Sequence, residues 1–148
     1  MSNNDIKAIL SERDGVKFAT TAGSDMHKRL GLIVIDGDNT RGDSELVAHI
    51  QSIPCLGKLF CSNSMTEVPI AGTIKHRFIS RRIDRLYIDN DAQTVFILDY
   101  KTDVNRDKFH DTYVAQVHEY AALLRQIYPK YKCVCYILWT HEWELEKV

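Results

Sequence analysis

The chain has 148 residues, of which 45% are hydrophobic and 26% charged, and its formal net charge is −1. This composition excludes a disordered or fibrous protein, and no apolar run approaches the ~20 residues needed to cross a bilayer. The length fits one domain over residues 1–148. Because Met1–Asp5 lack the basic region and apolar stretch of a secretory signal, we expect a cytoplasmic protein without a membrane partner.

The first part of the chain is predicted to be mainly helical. One helix begins at Ser24 as its N-cap and carries apolar residues at helical spacing, Met26, Leu30, Ile33 and Val34. Shorter helices are predicted over residues 5–12, 44–52 and 56–62. The segment Asp36–Asp43 holds two glycines and three aspartates and is expected to form an exposed loop.

The most informative stretch is Ile97–Thr102, an apolar run that ends in a carboxylate and an ammonium two residues apart. Successive side chains of a strand point to opposite faces, so Asp99 and Lys101 share a face. A second strand is predicted over residues 79–88, and Asn90–Gln93 forms a four-residue hairpin loop between the two strands.

The length of this loop predicts two carboxylates side by side. It places Asp84 directly opposite Asp99, with Cβ atoms about 5 Å apart. Carboxylates that close together repel each other unless a cation lies between them. Hard oxygen ligands favour Mg²⁺ or Mn²⁺ over zinc.

The later part of the chain is predicted as a helix followed by a buried strand. The helix runs from about Lys108 to Tyr128, ends at Pro129, and has Gln116 and Tyr120 adjacent on its surface because they are four residues apart. Residues 132–140 are nearly all apolar and predict a central strand, after which Trp143 closes the core.

Five sequence elements resemble the PD-(D/E)XK nuclease superfamily, specifically the nuclease domain of RecB/AddA-type helicase–nucleases. In chain order they are Gly23-x-x-x-His27, Glu67 followed by Pro69, Ile83-Asp84-Arg85-Leu86, Leu98-Asp99-Tyr100-Lys101-Thr102, and Gln116-x-x-x-Tyr120. One position departs from the pattern, since the family usually has glycine three residues before the first aspartate and this chain has Arg81.

The resemblance implies a fold, an activity and a set of site residues. The fold is a restriction-endonuclease-like α/β core, with a small mixed β-sheet flanked by helices. The activity is Mg²⁺-dependent (or Mn²⁺-dependent) hydrolysis of DNA, with an exonuclease mode expected. The implied metal ligands are His27, Asp84, Asp99 and the backbone carbonyl of Tyr100. The implied catalytic residues are Asp84, Asp99, Lys101 and Glu67, and the residues that contact DNA are Gln116 and Tyr120.

Three of these residues also have purely structural interpretations. His27 lies beside the apolar stripe of its helix, where a histidine bonded to the backbone would serve packing alone. Glu67 either joins the metal site or caps an exposed strand edge. Tyr120 belongs to an apolar stripe and is compatible with a core aromatic, a DNA contact, or both.

A cluster of cations surrounds the first aspartate, although the overall charge does not indicate a nucleic-acid binder. Its five members lie within eleven residues: Lys75, Arg77, Arg81, Arg82 and Arg85. They predict a patch that attracts phosphate, with Arg82 and Arg85 as substrate-binding residues. The alternative is a solvated strand face.

The cysteines do not have metal-site spacing. Cys133 and Cys135 share a strand face but lack a C-x-x-C partner among Cys55 and Cys61, so reduced structural thiols and no iron–sulfur cluster are expected.

Two functions remain open from the sequence. The first is a DNA-repair and recombination nuclease whose partners are DNA and a separate helicase subunit or domain, because no Walker-type ATP motif occurs in the chain. The second is a catalytically inactive DNA-binding or scaffolding domain of the same fold, favoured by Arg81 and the modest charge. The intact set Asp84, Asp99 and Lys101 favours the nuclease.

Overall fold

A computed structural model describes residues 23–148, in which a five-stranded mixed β-sheet has helices against both faces. The strands follow one another in the sheet in chain order: β1 (Met65–Ile74), β2 (Arg77–Asp89), β3 (Thr94–Lys101), β4 (Lys132–Trp139) and β5 (Glu144–Lys147). Strands β3 and β4 are parallel, and the other neighbouring pairs are antiparallel. The predicted mixed α/β class is therefore confirmed.

Three α-helices and a 3₁₀ turn are present in the described part of the chain. They are α1 (23–31), α2 (Ser44–Ser52), the 3₁₀ turn (Gly57–Phe60) and α3 (Arg106–Ile127). The prediction for α2 is confirmed, and its N-cap is Asp43, whose Oδ1 accepts hydrogen bonds from the backbone N–H groups of Glu45 and Leu46. None of the helices between residues 23 and 148 is long and apolar enough to span a membrane.

Several helix boundaries differ from the prediction. Ser24 is not an N-cap, since Gly23 before it is already helical. Helix α1 ends at residue 31, so Ile33 and Val34 lie outside it, and Val34 instead pairs with Arg41 across the base of the aspartate-rich loop. The helix predicted over 56–62 is only the short 3₁₀ turn. The predicted helix over 5–12 lies outside the described residues.

The sheet separates two hydrophobic cores. Helix α3 covers one face, where the buried side chains include Ile83, Ile97, Val117, Tyr120, Ile137 and Trp139. Helices α1 and α2 and the 3₁₀ turn cover the other face, with Leu30, Ile50, Phe60, Leu98, Tyr100 and Leu138. Strand β3 contributes alternate residues to both cores, which explains why Ile97–Tyr100 is almost wholly buried. Trp143 is half-buried and stacks on His49 of α2 at 4.4 Å between ring centroids.

The alternation of side chains along β2 is interrupted at Asp84. Ile83 and Leu86 are three residues apart yet both pack in the core under α3. On β1, the residue across from Asp84 is Glu67, which has a positive φ of 53° and lies between the paired residues Thr66 and Val68. This irregularity sends Arg85 to the opposite core and leaves Asp84 beside the end of β3.

Arg85 is a buried cation that connects helix α1 to the sheet. Its side chain is enclosed, with only 2% of the residue exposed, and the guanidinium lies 4.0 Å from the centre of the Phe60 ring. It donates hydrogen bonds to the Tyr100 hydroxyl and to the carbonyls of Leu30 and Ile33, and a further one to Ser64 Oγ. The predicted role of Arg85 in binding substrate is therefore wrong, because its donors face the protein interior.

We expect Arg85→Ala to destabilise the fold strongly. The change leaves two buried carbonyls and the Tyr100 hydroxyl without their donor, so the free energy of unfolding should fall by about 3 kcal/mol or more. Chemical denaturation measures this value. Arg82→Ala is the matched control on the same strand, and it should change the value by no more than about 1 kcal/mol because the Arg82 side chain is 69% exposed. Equal effects of the two changes would contradict the structural role of Arg85.

Candidate active site

Most of the predicted site residues meet where β3 ends between α1 and α3. The side chains come from four elements: His27 from α1, Asp84 from β2, Asp99 and Lys101 from β3, and Gln116 and Tyr120 from α3. This end of β3 is also the carboxyl end of its parallel pair with β4. Ligands of α/β proteins commonly bind at that edge.

Asp84 is held against β3 by its side chain. The β2–β3 register ends with Arg85 opposite Leu98, so Asp84 is the next residue on β2 and Asp99 the next on β3. Asp84 Oδ2 accepts a hydrogen bond from the backbone N–H of Tyr100 at 2.8 Å. The same oxygen lies 3.1 Å from His27 Nε2. The two aspartates are therefore brought together at the end of the hairpin.

His27 carries a positive charge in this arrangement. Its Nδ1 lies 2.6 Å from the Gly23 carbonyl oxygen and its Nε2 faces Asp84, so both ring nitrogens meet acceptors. Burial disfavours the protonated ring, but the hydrogen bond and charge of Asp84 outweigh it and raise the pKa of His27 to about 9. Gly23 allows close packing here, since a Cβ on it would lie 3.3 Å from Thr102 Oγ1.

Asp99 is the most enclosed carboxylate of the site, with 2% of the residue exposed. Burial, followed by the charge of Asp84, raises its pKa well above that of an ordinary aspartate, and Lys101 opposes the effect. The Lys101 ammonium forms an ion pair with Asp99 Oδ2 at a distance of 2.9 Å. Within residues 23–148, this oxygen is the one buried side-chain nitrogen or oxygen that lacks a hydrogen-bond partner.

Lys101 is fixed between β3 and α3. Its Nζ donates a hydrogen bond to Gln116 Oε1 at 3.0 Å and lies 4.3 Å from the centre of the Tyr113 ring. Tyr113 is held in turn by donating its hydroxyl to Asp103 Oδ2 at 2.8 Å. The sequence interpretation missed Tyr113, although its position three residues before Gln116 on α3 indicated a shared helix face.

Tyr120 is both a core residue and a neighbour of the carboxylates. It is 2% exposed and packs in the core under α3. Burial and the negative charges of Asp99 and Asp84 raise the pKa of its hydroxyl. Its ring therefore serves packing while lying within the electrostatic reach of the site.

Glu67 lies at the rim of an open cleft of about 690 Å³ that has His27 and Asp84 on its walls. Its carboxylate is 3.6 Å from a guanidinium nitrogen of Arg82, and 48% of its side chain is exposed. Lys28 of α1 also lines the cleft. Glu67 is thus close to the site but outside the contacts that join the two aspartates.

The predicted basic patch is divided between two faces of the sheet. Arg77 and Arg81 contact Glu119 of α3 at 3.0 and 3.4 Å, whereas Arg82 faces the cleft. With Arg85 buried, Arg82 is the member of the patch that borders the cleft beside Asp84. Arg81 stands at the position where the resembled family has glycine, and its side chain forms the ion pair with Glu119 of α3.

The donor set fits a hard divalent cation in chemistry, although its side chains are not gathered into a closed shell. No three His, Cys, Asp or Glu side chains within residues 23–148 form a ready-made metal site. Carboxylate oxygens are nevertheless the ligands that Mg²⁺ and Mn²⁺ prefer, and Asp99 Oδ2 is a buried acceptor without a hydrogen bond. For His27 to become a ligand it must release its proton and its contact with Asp84.

Comparison with known proteins finds no protein-family model that matches the chain and no curated protein that is significantly similar to it. The functional interpretation therefore depends on the geometry described above and on the resemblance of the motifs.

The pair formed by His27 and Asp84 predicts a pH dependence of stability. Folding raises the pKa of His27 from 6.5 to about 9. The contribution of the pair to stability is therefore complete below about pH 6.5 and is lost as the pH rises through 9. In EDTA, the free energy of unfolding of the wild type relative to His27→Gln should fall over this interval. The fall should be at most about 3.5 kcal/mol, since the pKa differs by about 2.5 between the two states and one pKa unit corresponds to about 1.4 kcal/mol.

The measurement is urea denaturation of both proteins at a series of pH values. Glutamine keeps a hydrogen-bond donor near Asp84 without a titrating charge, so it isolates the contribution of the proton. Parallel profiles for the two proteins between pH 6.5 and 9 would show that folding does not raise the pKa of His27.

Proposed function

We propose that the chain is a metal-dependent deoxyribonuclease that hydrolyses phosphodiester bonds of DNA and is similar to the nuclease domains of RecB/AddA-type helicase–nucleases. The observation that carries the proposal is the pairing of Asp84, at the wall of the cleft, with the buried Asp99, together with Lys101 fixed beside them. The motif order over residues 23–120 supports the same assignment.

The electrostatics of the pair favour a catalytic role. Placing two carboxylates together in a mostly buried position is unfavourable for folding, because burial and mutual repulsion both oppose their charges. A domain used only as a scaffold gains nothing from this arrangement. A hydrolase gains a site that attracts a divalent cation, and the cation offsets the repulsion.

Asp84, Asp99, His27 and the backbone carbonyl of Tyr100 would hold Mg²⁺ or Mn²⁺, whose chemistry is to polarise a phosphate and to lower the pKa of a bound water. Asp99 supplies Oδ2, a buried oxygen whose charge is paired with the Lys101 ammonium at 2.9 Å. Asp84 is oriented by the Tyr100 N–H as well as by His27, so the position of its carboxylate does not depend on the His27 contact alone. Because Asp99 is enclosed, few water molecules can compete with it for a bound cation.

Lys101 acts on the charge that develops at the phosphate. Its ammonium is oriented by Gln116 and the Tyr113 ring, and 15% of its side chain remains exposed. From this position it stabilises negative charge in the transition state and orients the attacking water. Gln116 therefore holds Lys101, in addition to the contact with DNA that the resemblance implies for it.

The cleft provides the approach for a phosphate backbone. Lys28 and Arg82 stand on its walls, and Asp84 and His27 lie among the residues that line it. Glu67 and Arg82 contact each other at the rim, so a phosphate that binds Arg82 would release Glu67 for the cation or the attacking water. We expect DNA to enter by this route, in a repair or recombination reaction beside a separate helicase.

A second candidate is a catalytically inactive DNA-binding or scaffolding domain of the same fold. It is favoured by the open arrangement of the possible metal ligands within residues 23–148 and by the ion pair of Arg81 with Glu119. Such a domain would bind DNA but would not require Lys101 for any chemical step. The two candidates therefore differ in the effects of metal and of Lys101 substitution.

We expect Mg²⁺ or Mn²⁺ to raise the melting temperature of the wild type, because a ligand that binds only the folded state stabilises it by mass action. Asp99→Asn should abolish the increase. Asp91→Asn, in the exposed loop at the other end of β3, is the matched control and should keep it. An unchanged metal-induced shift in Asp99→Asn would contradict a cation shared by Asp84 and Asp99.

We expect Lys101→Ala to slow DNA cleavage in Mg²⁺ by at least ~100-fold, the usual scale for removing one group that stabilises a transition state. Lys101→Arg should not restore the rate, because a planar guanidinium does not replace a compact ammonium. Binding of DNA in Ca²⁺ should change by no more than a few-fold. Single-turnover cleavage and fluorescence anisotropy measure these effects.

The control for this experiment is Lys132→Ala. Lys132 lies opposite Thr94 at the far end of the parallel pair, whereas Lys101 lies opposite Trp139. Its removal should leave the cleavage rate unchanged. Near-normal cleavage by Lys101→Ala, combined with a lower melting temperature, would make Lys101 a structural ion-pair partner and would refute the proposed active site. Wild-type protein that binds DNA but never cleaves it would favour the scaffold.

A further inference from the structure

The outer part of the β1–β2 hairpin has one covered and one uncovered face. Strand β3 pairs only with Arg85–Asp89 of β2, so the rest of β2 is paired with β1 alone. Ile70, Ile79 and Ile83 cover one side by packing under α3. The opposite side is formed by six exposed residues, which we call the hairpin face: Pro69, Ala71, Thr73, Phe78, Ser80 and Arg82.

The hairpin face is flat in the middle and has one large side chain at each end. Ala71 lies opposite Ser80, so its centre carries only small groups. Phe78, 71% exposed, stands at the end near the hairpin turn. Arg82, with 69% of its side chain exposed, stands at the other end and lines the cleft.

The hairpin face leads into the candidate active site. Phe78 and Asp84 are six residues apart on β2, which corresponds to about 20 Å along a strand. That span equals roughly six nucleotides at the 3.4 Å spacing of stacked bases. A DNA strand lying along the hairpin face would therefore arrive at Asp84, on the wall of the cleft, with several nucleotides in contact with the protein.

The chemistry of the face fits a single DNA strand better than a protein partner. Phe78 is an isolated aromatic side chain, and the small residues beside it do not form the wide apolar patch that a docked helix would bury. Lys75 near the turn and Arg82 at the cleft match a polyanion. An exposed aromatic ring beside such charges stacks on bases whose faces are free, as they are along an unpaired strand but not in the interior of a duplex.

We propose that the hairpin face binds single-stranded DNA, with one base stacked on Phe78 and a phosphate at Arg82, and directs the strand into the cleft. The inference rests on the proposed nuclease function and identifies a surface outside the active site that holds the DNA strand. Phe78 lies well away from the carboxylates, so it contributes to binding and not to the chemical step.

The test is binding of a fluorescent 15-nucleotide single strand to the full chain in Ca²⁺, measured by anisotropy. Phe78→Ala should weaken binding at least fivefold, and Phe78→Trp should restore it to within twofold because the larger ring still stacks. Arg82→Gln should reduce the slope of log affinity against log salt by about 0.7, the loss of one phosphate contact. Blunt duplex of the same length should bind Phe78→Ala and wild type equally.

The matched control is Ile127→Ala, which removes another exposed hydrophobic side chain but lies on α3, across the sheet from the hairpin face. It should bind the single strand like the wild type. Equal affinities of wild type and Phe78→Ala for the single strand would overturn the inference. So would a Phe78→Ala variant that dissociates a dimer in sedimentation without changing DNA binding, since the face would then contact a second copy of the chain.

Cleavage assays separate this inference from the proposed function. If the wild type cleaves DNA and Phe78→Ala binds and cleaves normally, the proposed DNA binding by the hairpin face is refuted and the proposed nuclease activity is supported. If binding depends on Phe78 but the wild type does not cleave in Mg²⁺ or Mn²⁺, DNA binding by the hairpin face is supported and the nuclease activity is refuted. If both stand, Phe78→Ala should raise KM with little change in kcat.

Discussion

The geometry of the site depends on the buried guanidinium of Arg85. It joins the end of helix α1, through the carbonyls of Leu30 and Ile33, to the hydroxyl of Tyr100 between Asp99 and Lys101. No carboxylate pairs with this cation among the described residues. Its charge is balanced by the negative end of the helix dipole and by the face of the Phe60 ring. Because His27 lies on the same helix, Arg85 fixes the histidine relative to the aspartates.

The charges at the end of β3 form a set that is costly for folding and useful for chemistry. Asp84 is compensated by the His27 ring and the Tyr100 N–H, whereas Asp99 is enclosed and has only the ion pair with Lys101. The positive φ of Glu67 adds backbone strain beside the same residues. Such features accumulate at functional sites, where the rest of the fold maintains them. A divalent cation would relieve the repulsion between the two carboxylates.

The strands and the meeting of the two aspartates were predictable because they follow from local rules. Alternation along Ile97–Lys101 and the four-residue loop Asn90–Gln93 define the end of the hairpin without any knowledge of the rest of the chain. The role of Arg85 was not predictable. Regular alternation along β2 would put Arg85 on the same face as Ile83, but the irregularity at Asp84 turns the Arg85 side chain to the opposite face. That irregularity depends on Glu67, on the neighbouring strand. Likewise, the contact of Lys101 with Gln116 joins residues fifteen apart and requires the packing of α3.

The central claim is that Asp84 and Lys101 belong to one hydrolytic site. The most direct test is the single-turnover rate at which a single-stranded oligonucleotide is cleaved in Mg²⁺ by Asp84→Asn, Lys101→Ala and the double variant. If the groups act as a unit, each single variant should be at least ~100-fold slower than the wild type, and the double variant no slower than the slower single variant within a few-fold. Losses that multiply in the double variant, or a near-normal rate in either single variant, would contradict a shared site.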